Sequence, residues 1–152
     1  MKKYIAALLA AFCLTTGAAT AAQAPAKVPP PIIITFNPGG SILGFIQAYE
    51  GVAANPQQRI VVKGECISAC TLMLGIVPQA QVCVTPNAMF AFHSGTAGGV
   101  FSPLATEVEW YMYPVWIRDL LAKRGMGPDI EHPELIWIPG TTFYHLCNNG
   151  EV

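Results

Sequence analysis

The sequence predicts a single α/β domain built on a mostly parallel sheet. Its 152 residues suit one domain. Short apolar segments that favour strands alternate with segments whose apolar residues recur at helical spacing. The first apolar segment, residues 32–36, reads Ile-Ile-Ile-Thr-Phe. A continuous β-branched run of this kind is typical of a strand buried on both faces, as in parallel sheets.

Strand and helix signals follow one another along the chain. Strands are predicted at residues 32–36, 60–63, 81–85 and 89–93, and the tail has apolar segments at 135–138 and 141–146. Helices are predicted from the N-cap Ser41 to about residue 54, and from residue 71 to Gly75. Residues 94–99 predict a flexible, glycine-rich loop. A longer helix is predicted over residues 104–124, where Pro114 should kink a repeat formed by Glu107, Trp110, Pro114, Ile117 and Leu121.

The N-terminus has the layout of a secretory signal peptide. Lys2 and Lys3 precede an apolar stretch at 4–14, and small residues follow it up to Ala22. The stretch is too short to span a membrane, which takes about 20 apolar residues. We therefore expect a cleaved signal at residues 1–22, with an uncleaved anchor as the alternative. Export to the bacterial periplasm, with no membrane attachment after cleavage, follows from this interpretation.

The remaining chain divides into a proline-rich lead-in, residues 23–31, and the α/β domain at 32–152. The net charge of the whole chain is −1, and no basic stripe is present, so nucleic-acid binding has no support. Cys66 and Cys70 have the spacing of metal ligands, but no second Cys/His pair completes a tetrahedral site. We therefore expect no bound metal.

Cleavage of the signal leaves four cysteines, which favours two disulfides in an oxidising compartment. Three connectivities are possible. We favour Cys66–Cys70 together with Cys83–Cys147, because the first bond would stiffen a short turn and the second would tether the C-terminus.

Ser68 lies where an apolar strand turns into a helical segment, within residues 64–70 (Gly-Glu-Cys-Ile-Ser-Ala-Cys). A serine on such a turn has an exposed hydroxyl with backbone N–H groups beside it, as a nucleophile requires. The small neighbour Ala69 leaves the hydroxyl unobstructed, and its N–H would point at an oxyanion. Taken alone, Ser68 fits a helix cap better than a nucleophile.

Two further segments offer chemistry. His93 ends a predicted strand and enters a glycine-rich loop, so its imidazole can act as a general base, although a lone histidine is more often structural. Residues 38–41 read Pro-Gly-Gly-Ser, and their N–H groups suit half of an oxyanion hole, a phosphate cradle or an ordinary turn. The segment lacks the Lys-Ser/Thr of a P-loop, so nucleotide binding is not expected.

In combination, these segments resemble the Clp protease proteolytic subunit and the wider Clp/crotonase superfamily, and most closely its exported bacterial Clp-like proteins. The matching stretches are residues 36–41 (Phe-Asn-Pro-Gly-Gly-Ser), 64–70, and 83–93 (Cys-Val-Thr-Pro-Asn-Ala-Met-Phe-Ala-Phe-His). The likeness covers roughly residues 32–146. It implies a spiral of ββα units, a substrate-side loop after His93 and a handle helix from Leu104.

The resemblance also implies a chemistry. Ser68 would be the nucleophile and His93 the base of an acyl transfer, and the N–H groups of Gly40 and Ala69 would form the oxyanion hole. The implied substrate is a peptide or a small acyl compound, and no cofactor is needed. The superfamily's tendency to oligomerise implies a homo-oligomer.

The third member of the triad departs from the family pattern. An aspartate is expected shortly before an aromatic-leucine stretch in the tail, but residues 141–146 read Thr-Thr-Phe-Tyr-His-Leu. Thr141 or Thr142 could orient the imidazole without offsetting its charge, and Asp129, Glu131 and Glu134 are the acidic substitutes. Two interpretations follow: an exported serine hydrolase, most simply a peptidase, without the usual acid, or a non-catalytic module that binds a peptide or acyl ligand or serves as an assembly subunit.

Overall fold

A computed structural model describes residues 28–148 and residue 150. The predicted signal peptide and residues 23–27 of the lead-in lie outside the described residues. The described part is a mixed α/β domain with a mostly parallel sheet, as the sequence predicts. Its strands and helices, in chain order, are β1 (Ile32–Asn37), α1 (Ile42–Ala54), β2 (Ile60–Ile67), α2 (Met73–Ile76), β3 (Val82–Val84), β4 (Met89–Phe92), β5 (Thr96–Ala97), β6 (Val100–Phe101), α3 (Pro103–Met112), α4 (Val115–Ala122) and β7 (Ile136–Pro139).

The main sheet has five strands. Four of them lie in the order β1-β2-β4-β7, and the fifth, β3, pairs with β2 on the same side as β4. β1, β3 and β4 run parallel to β2, whereas β7 runs antiparallel to β4. The first half of β2 pairs with β3 and its second half with β4, so a single long strand supports both. All four strands predicted before the tail are therefore present, and β2 is longer than predicted.

β1 and β2 change register at a bulge between Ile34 and Phe36. Gly64 of β2 lies at this point, and a Cβ there would come within 2.0 Å of the Thr35 carbonyl oxygen. Only glycine permits such a close approach of the two backbones. β2 has the extra residue, because its register advances by three residues, from Val62 to Glu65, while β1 advances by two. Beyond this bulge the two strands end and lead into the Gly39–Gly40 turn and Ser68.

The N-terminal cap of α1 is confirmed, because Gly44 N–H donates to Ser41 Oγ at 3.3 Å. The prediction of one long helix over 104–124 is wrong. Pro114 has no N–H and disfavours helical backbone at the preceding residue. Tyr113 is accordingly extended (φ −78°, ψ 143°), and α3 and α4 are separate helices.

The glycine-rich segment after His93 also differs from prediction. It forms a short antiparallel hairpin, β5–β6, which turns at Gly98 and Gly99 with φ of +60° and +82°. Gly95 lies at its base, against α3, and a Cβ on Gly95 would be 2.7 Å from the Ala105 carbonyl carbon. The hairpin is thus anchored on one side by helix packing rather than being a free loop.

Aromatic side chains from β4, from the tail and from the end of α3 pack together in the core. Phe90 and Phe92 are buried and lie 5.3 and 5.9 Å, ring centre to ring centre, from Phe143 of the tail. Tyr113 packs edge-on against Phe92 at 5.6 Å. Tail and α3 therefore close over one face of β4. In the described part of the chain, none of the helices combines the length and apolar character needed to cross a membrane.

Candidate active site

Three loops meet at one edge of the sheet. β1, β2 and β4 are parallel and end side by side, with Asn37 opposite Cys66 and Ile67 opposite Ala91. The turn with Gly40 follows β1, Ser68 follows β2, and His93 follows β4. The sheet therefore brings the sequence-predicted nucleophile, base and oxyanion-hole residues to the same edge.

Ser68 has left-handed backbone geometry, with φ of +57°. Among the described residues, no other residue except glycine has a positive φ. It begins a short 3₁₀ turn over residues 68–72, which leads into α2. A non-glycine residue is costly in this region, and such strain is commonly found at functional sites. A serine held in a sharp, strained strand-to-helix turn is the arrangement of a nucleophile elbow.

The glycine turn packs directly against the Ser68 turn. Gly39 has φ of +86°, and a Cβ there would lie 2.7 Å from both the Ile67 carbonyl oxygen and the Ser68 Cβ. Its N–H donates to Asn37 Oδ1 at 2.9 Å, which fixes the turn. Within residues 28–148, neither Gly40 N–H nor Ala69 N–H donates to a protein acceptor. In the described part of the chain, both N–H groups are therefore without a protein acceptor.

His93 is half-buried, and its Nδ1 lies 2.7 Å from the Ser94 carbonyl oxygen. Because a carbonyl only accepts hydrogen bonds, Nδ1 carries the proton and Nε2 has the basic lone pair. A backbone carbonyl therefore fixes the tautomer that a general base needs. No hydrogen bond joins His93 to Ser68 among the described residues, and contacts of this kind commonly tighten when substrate binds.

The structure does not bring Thr141 or Thr142 to His93. β7 runs antiparallel to β4, so Pro139 pairs with Met89, and Gly140 N–H donates to the Ala88 carbonyl at 2.8 Å. Both threonines therefore lie beside the start of β4, whereas His93 follows its end. Four strand residues separate the two ends by about 13 Å.

The acidic residues that precede β7 lie nearer, but they are exposed. Ser94 N–H donates to the His132 carbonyl at 2.9 Å, and His132 N–H donates to Ser94 Oγ at 3.0 Å. This exchange holds the segment 129–134 against the residue that follows His93. Asp129, like Glu131 and Glu134, points into solvent and has no hydrogen bond to His93 in the described part of the chain.

Sequence reasoning missed a polar group behind the Ser68 turn. Thr71 Oγ1 donates to the Ser68 carbonyl oxygen at 2.7 Å and lies 2.5 Å from the Tyr113 hydroxyl. The single Thr71 proton is thus used, so Tyr113 donates to Thr71. One helical turn before Tyr113, Glu109 is only 2% exposed. Burial raises the pKa of Glu109 to about 7.

The sequence contained a signal for this buried face. Thr106, Glu109, Trp110 and Tyr113 are buried and follow the spacing i, i+3, i+4, i+7. The predicted stripe instead includes Glu107, and Glu107 is exposed. Trp110, Ile117 and Leu121 of the predicted repeat are buried as expected, whereas Glu107 is exposed and Glu109 is buried instead.

The favoured disulfide pairing is confirmed. Cys66 and Cys70 are bonded on either side of Ser68, and both are fully buried. Cys83 is bonded to Cys147, next to a pair of backbone hydrogen bonds between Val84 and the tail. The first bond closes the turn that contains Ser68, and the second joins the tail to β3.

Two apolar cavities open near the site. One, of about 230 Å³, lies along the glycine turn and α1 and is lined by Gly39, Gly40, Ser41, Gly44, Phe45 and Ala48. The other, of about 400 Å³, lies between α1, the β5–β6 hairpin and α3, where Ile42, Leu43, Ala97, Leu104 and Val108 contribute. Both cavities have mainly apolar walls.

Comparison with models of known protein families found no match, and neither did comparison with curated proteins. The residues that the structure describes contain no group of three or more His, Cys, Asp or Glu side chains arranged to hold a metal ion. The interpretation of the site therefore depends on its geometry.

Proposed function

We propose that the protein is an exported serine hydrolase, a peptidase, with a Clp/crotonase-like arrangement of ββα units. The observation that supports this proposal most is the backbone of Ser68, which is held in left-handed geometry at the edge where Gly40 and His93 also lie. A helix cap or a structural serine has no need of this strain. A nucleophile needs it, because the turn exposes the hydroxyl beside free N–H groups.

The proposed reaction is acyl transfer followed by hydrolysis. Ser68 Oγ attacks the carbonyl carbon of a peptide or ester, and its proton passes to His93 Nε2. The N–H groups of Gly40 and Ala69 stabilise the oxyanion of the tetrahedral intermediate. The intermediate collapses as the C–N or C–O bond breaks, and His93 gives its proton to the leaving group. Water then attacks the acyl-enzyme by the same steps and releases Ser68.

Labelling with a fluorophosphonate probe tests this proposal. Oxidised wild-type protein should gain the mass of one phosphonyl group at Ser68, as determined by intact mass and peptide mapping. Ser68→Ala should not label, and His93→Gln should label at least about 100-fold more slowly. Ser41→Ala is the control, since this helix-cap serine has ordinary backbone geometry. Absence of labelling in the folded wild type, or labelling that survives Ser68→Ala, would overturn the proposal.

A second candidate is a non-catalytic module that binds a peptide or acyl group in the same place. The absence of a Ser68–His93 hydrogen bond, and of a carboxylate bonded to His93, favours it among the described residues. Such a module would bind an apolar acyl or peptide ligand with the same affinity before and after Ser68→Ala. Isothermal titration of both proteins, with no product formed over hours, is the result expected for this candidate.

We also propose that residues 1–22 are a cleaved signal that delivers the protein to the periplasm. Two disulfides are compatible with an exported protein. Intact-mass analysis of protein from a periplasmic extract should show a new N-terminus close to Ala22. A chain that keeps Met1 and remains in the membrane fraction would contradict this proposal.

A further inference from the structure

β1 is the outermost strand on one side of the main sheet, and its outer side is open to solvent. Among the described residues it pairs only with β2. Ile32, Ile33 and Phe36 are 43%, 48% and 62% exposed. Residues 28–49 contain no charged residue, so β1 lacks the charges that natural proteins place on an outermost strand to prevent its pairing with another strand. The free side of β1 is therefore an apolar surface that can also form backbone hydrogen bonds.

The backbone groups on this free side belong to Ile33 and Thr35. Ile32 N–H donates to the Arg59 carbonyl at 2.9 Å, on the side of β2. Successive residues of a strand direct their backbone groups to opposite sides, so Ile34 also faces β2, and Ile33 and Thr35 face outward. The bulge adds its extra residue to β2, which leaves this alternation regular in β1. An occupant of the free side must offer N–H and C=O groups in register, as an extended strand does and a lipid does not.

A second copy of β1 fits this side best in one antiparallel register. Outward-facing residues of an antiparallel pair exchange both of their N–H···O bonds, so Ile33 pairs with the partner's Thr35. A two-fold axis then passes between the two Ile34 residues. The same register places the exposed Ile32 opposite the partner's Phe36, an aliphatic–aromatic pair of the kind that stabilises sheets. The backbone alone does not require this match of exposed apolar side chains, which favours an identical strand as the occupant.

The sequence before β1 limits the choice of register. Pro31 precedes the strand and has no N–H to donate. In the register centred on Ile34 it lies opposite the partner's Asn37, at the end of the paired region. A register centred on Ile33 would instead bring Pro31 opposite Thr35 and lose a hydrogen bond. The prolines therefore favour pairing about Ile34.

Charged residues of the neighbouring chain favour the antiparallel direction. Arg59 comes just before the residue that pairs with Ile32, and Glu65 pairs with Phe36; both charged side chains are exposed. Antiparallel copies bring the Arg59 end of one beside the Glu65 end of the other, with Lys63 between the ends, whereas parallel copies place like ends together. The opposite charges are about three strand spacings apart, roughly 14 Å, so they orient the two copies more than they hold them together.

We propose that the free side of β1 is a dimer interface, where a second copy of this chain pairs strand to strand. The two sheets then form one continuous sheet in the order β7-β4-β2-β1-β1-β2-β4-β7. The resemblance implies a homo-oligomer, and the proposal names the surface that forms it. The inference does not depend on the proposed hydrolase function, because β1 contributes no catalytic group and the tests need no activity.

Sedimentation velocity of the purified protein from about 1 to 100 μM is the first test. Wild type should pass from monomer to dimer over this range, since one pair of strands buries a small interface. Ile32→Lys and Phe36→Glu should each weaken dimerisation at least about 10-fold. The double variant should regain most of this loss, because each new lysine then faces a new glutamate of the partner. Val100→Lys is the control, since Val100 is 70% exposed on β6, and its dimerisation should match wild type.

Two results of this experiment would overturn the proposal. One is a wild type that remains monomeric at 100 μM, and the other is a dimer that neither single variant weakens. A double variant that dimerises no better than the single variants would show that the register is wrong. Circular dichroism of each variant establishes that it is folded.

Hydrogen exchange with residue-resolved mass spectrometry locates the pairing directly. The amides of Ile33 and Thr35 should exchange at least about 10-fold more slowly at 100 μM than at 1 μM, whereas those of Ile32 and Ile34, bonded to β2, should exchange alike at both concentrations. Ile33→Pro removes an outward N–H and keeps the bonds to β2, so it should also weaken dimerisation. If Ile33 and Thr35 were equally protected in the monomer, another segment of the same chain would occupy this side, and the proposal would fail.

Discussion

The two edges of the sheet differ in what holds them together. At the edge where β2 and β4 end, the backbone is strained at Ser68, and Gly39 permits a contact that no other residue could. At the opposite edge, Gly140 N–H donates to the Ala88 carbonyl, and a disulfide from Cys147 joins the tail to β3. The first edge is built at a cost in stability, and the second supplies stability.

This difference explains where the tail goes. The resemblance places the triad acid near Thr141 and Thr142, but these residues lie at the stabilising edge, beside Ala88. At that edge the tail contributes packing and the Cys83–Cys147 disulfide. Among the described residues, it does not supply a side chain that hydrogen-bonds to His93.

Removal of the two disulfides should separate the roles of the edges. Cys83→Ala with Cys147→Ala should lower the free energy of unfolding by about 4 kcal/mol, because the bond joins positions 64 apart. Cys66→Ala with Cys70→Ala should cost only about 2 kcal/mol, because those positions are four apart. Urea unfolding measures both values.

Labelling of Ser68 should follow the opposite order. The Cys66/Cys70 variant should label at least about 10-fold more slowly than the Cys83/Cys147 variant under conditions where both are folded, because it loosens the turn that presents Ser68. If the labelling rates of the two variants instead fell in proportion to their losses of stability, the distinction between the edges would be wrong.

Glu109 should cost stability as the pH rises. Its pKa in the folded protein is about 7, against 4.5 for an ordinary glutamate. Folding therefore favours the protonated form, and the stability present below pH 4.5 is lost as the pH rises through 7. The full loss is about 3 kcal/mol, from 1.36 kcal/mol for each pKa unit.

Glu109→Gln should therefore unfold at higher urea concentration than wild type at pH 8.5, by about 3 kcal/mol, and differ little at pH 4.5. Thermal and urea unfolding at the two pH values would measure the difference, with Glu107→Gln as the control. A stability difference that is the same at both pH values would show that Glu109 does not titrate with folding. The same substitution should stabilise the protein at pH 8.5 because it replaces a buried carboxylate with a neutral amide.

Sequence patterns predicted which segments meet where β1, β2 and β4 end, for physical reasons. Buried parallel strands are continuous apolar runs, and their ends fall at one edge, so the sequence alone was enough to group Gly40, Ser68 and His93. The disulfide around Ser68 also followed, because residues four apart in a turn can come within bonding distance. The left-handed backbone of Ser68 fits the strand-turn-helix pattern, but the pattern does not specify it, because serine more often adopts a negative φ.

The parts that sequence reasoning missed depend on how α3 is rotated and where it packs. If Pro114 only bent the chain, residues 104–124 would form one helix. The repeat from Glu107 to Leu121 would then lie on a single face of it. Because α3 ends at Met112, its buried face is set by Gly95 at one end and Gly75 at the other, where a Cβ would come within 1.7 Å of the Met112 carbonyl oxygen. The spacing of Thr106, Glu109, Trp110 and Tyr113 also fits a helix face, but spacing alone does not decide between that face and the one that includes Glu107.

The smallest expected effect tests the strain at Ser68 itself. Ser68→Gly should be more stable than Ser68→Ala by about 1 kcal/mol, because glycine tolerates a φ of +57° and alanine does not. At Gln47, an exposed residue inside α1, the order should reverse, with glycine less stable than alanine by about 1 kcal/mol. Urea unfolding of the four variants measures both differences. If alanine were the more stable residue at both positions, Ser68 would not be strained, and the reason for identifying it as a nucleophile rather than a helix cap would be lost.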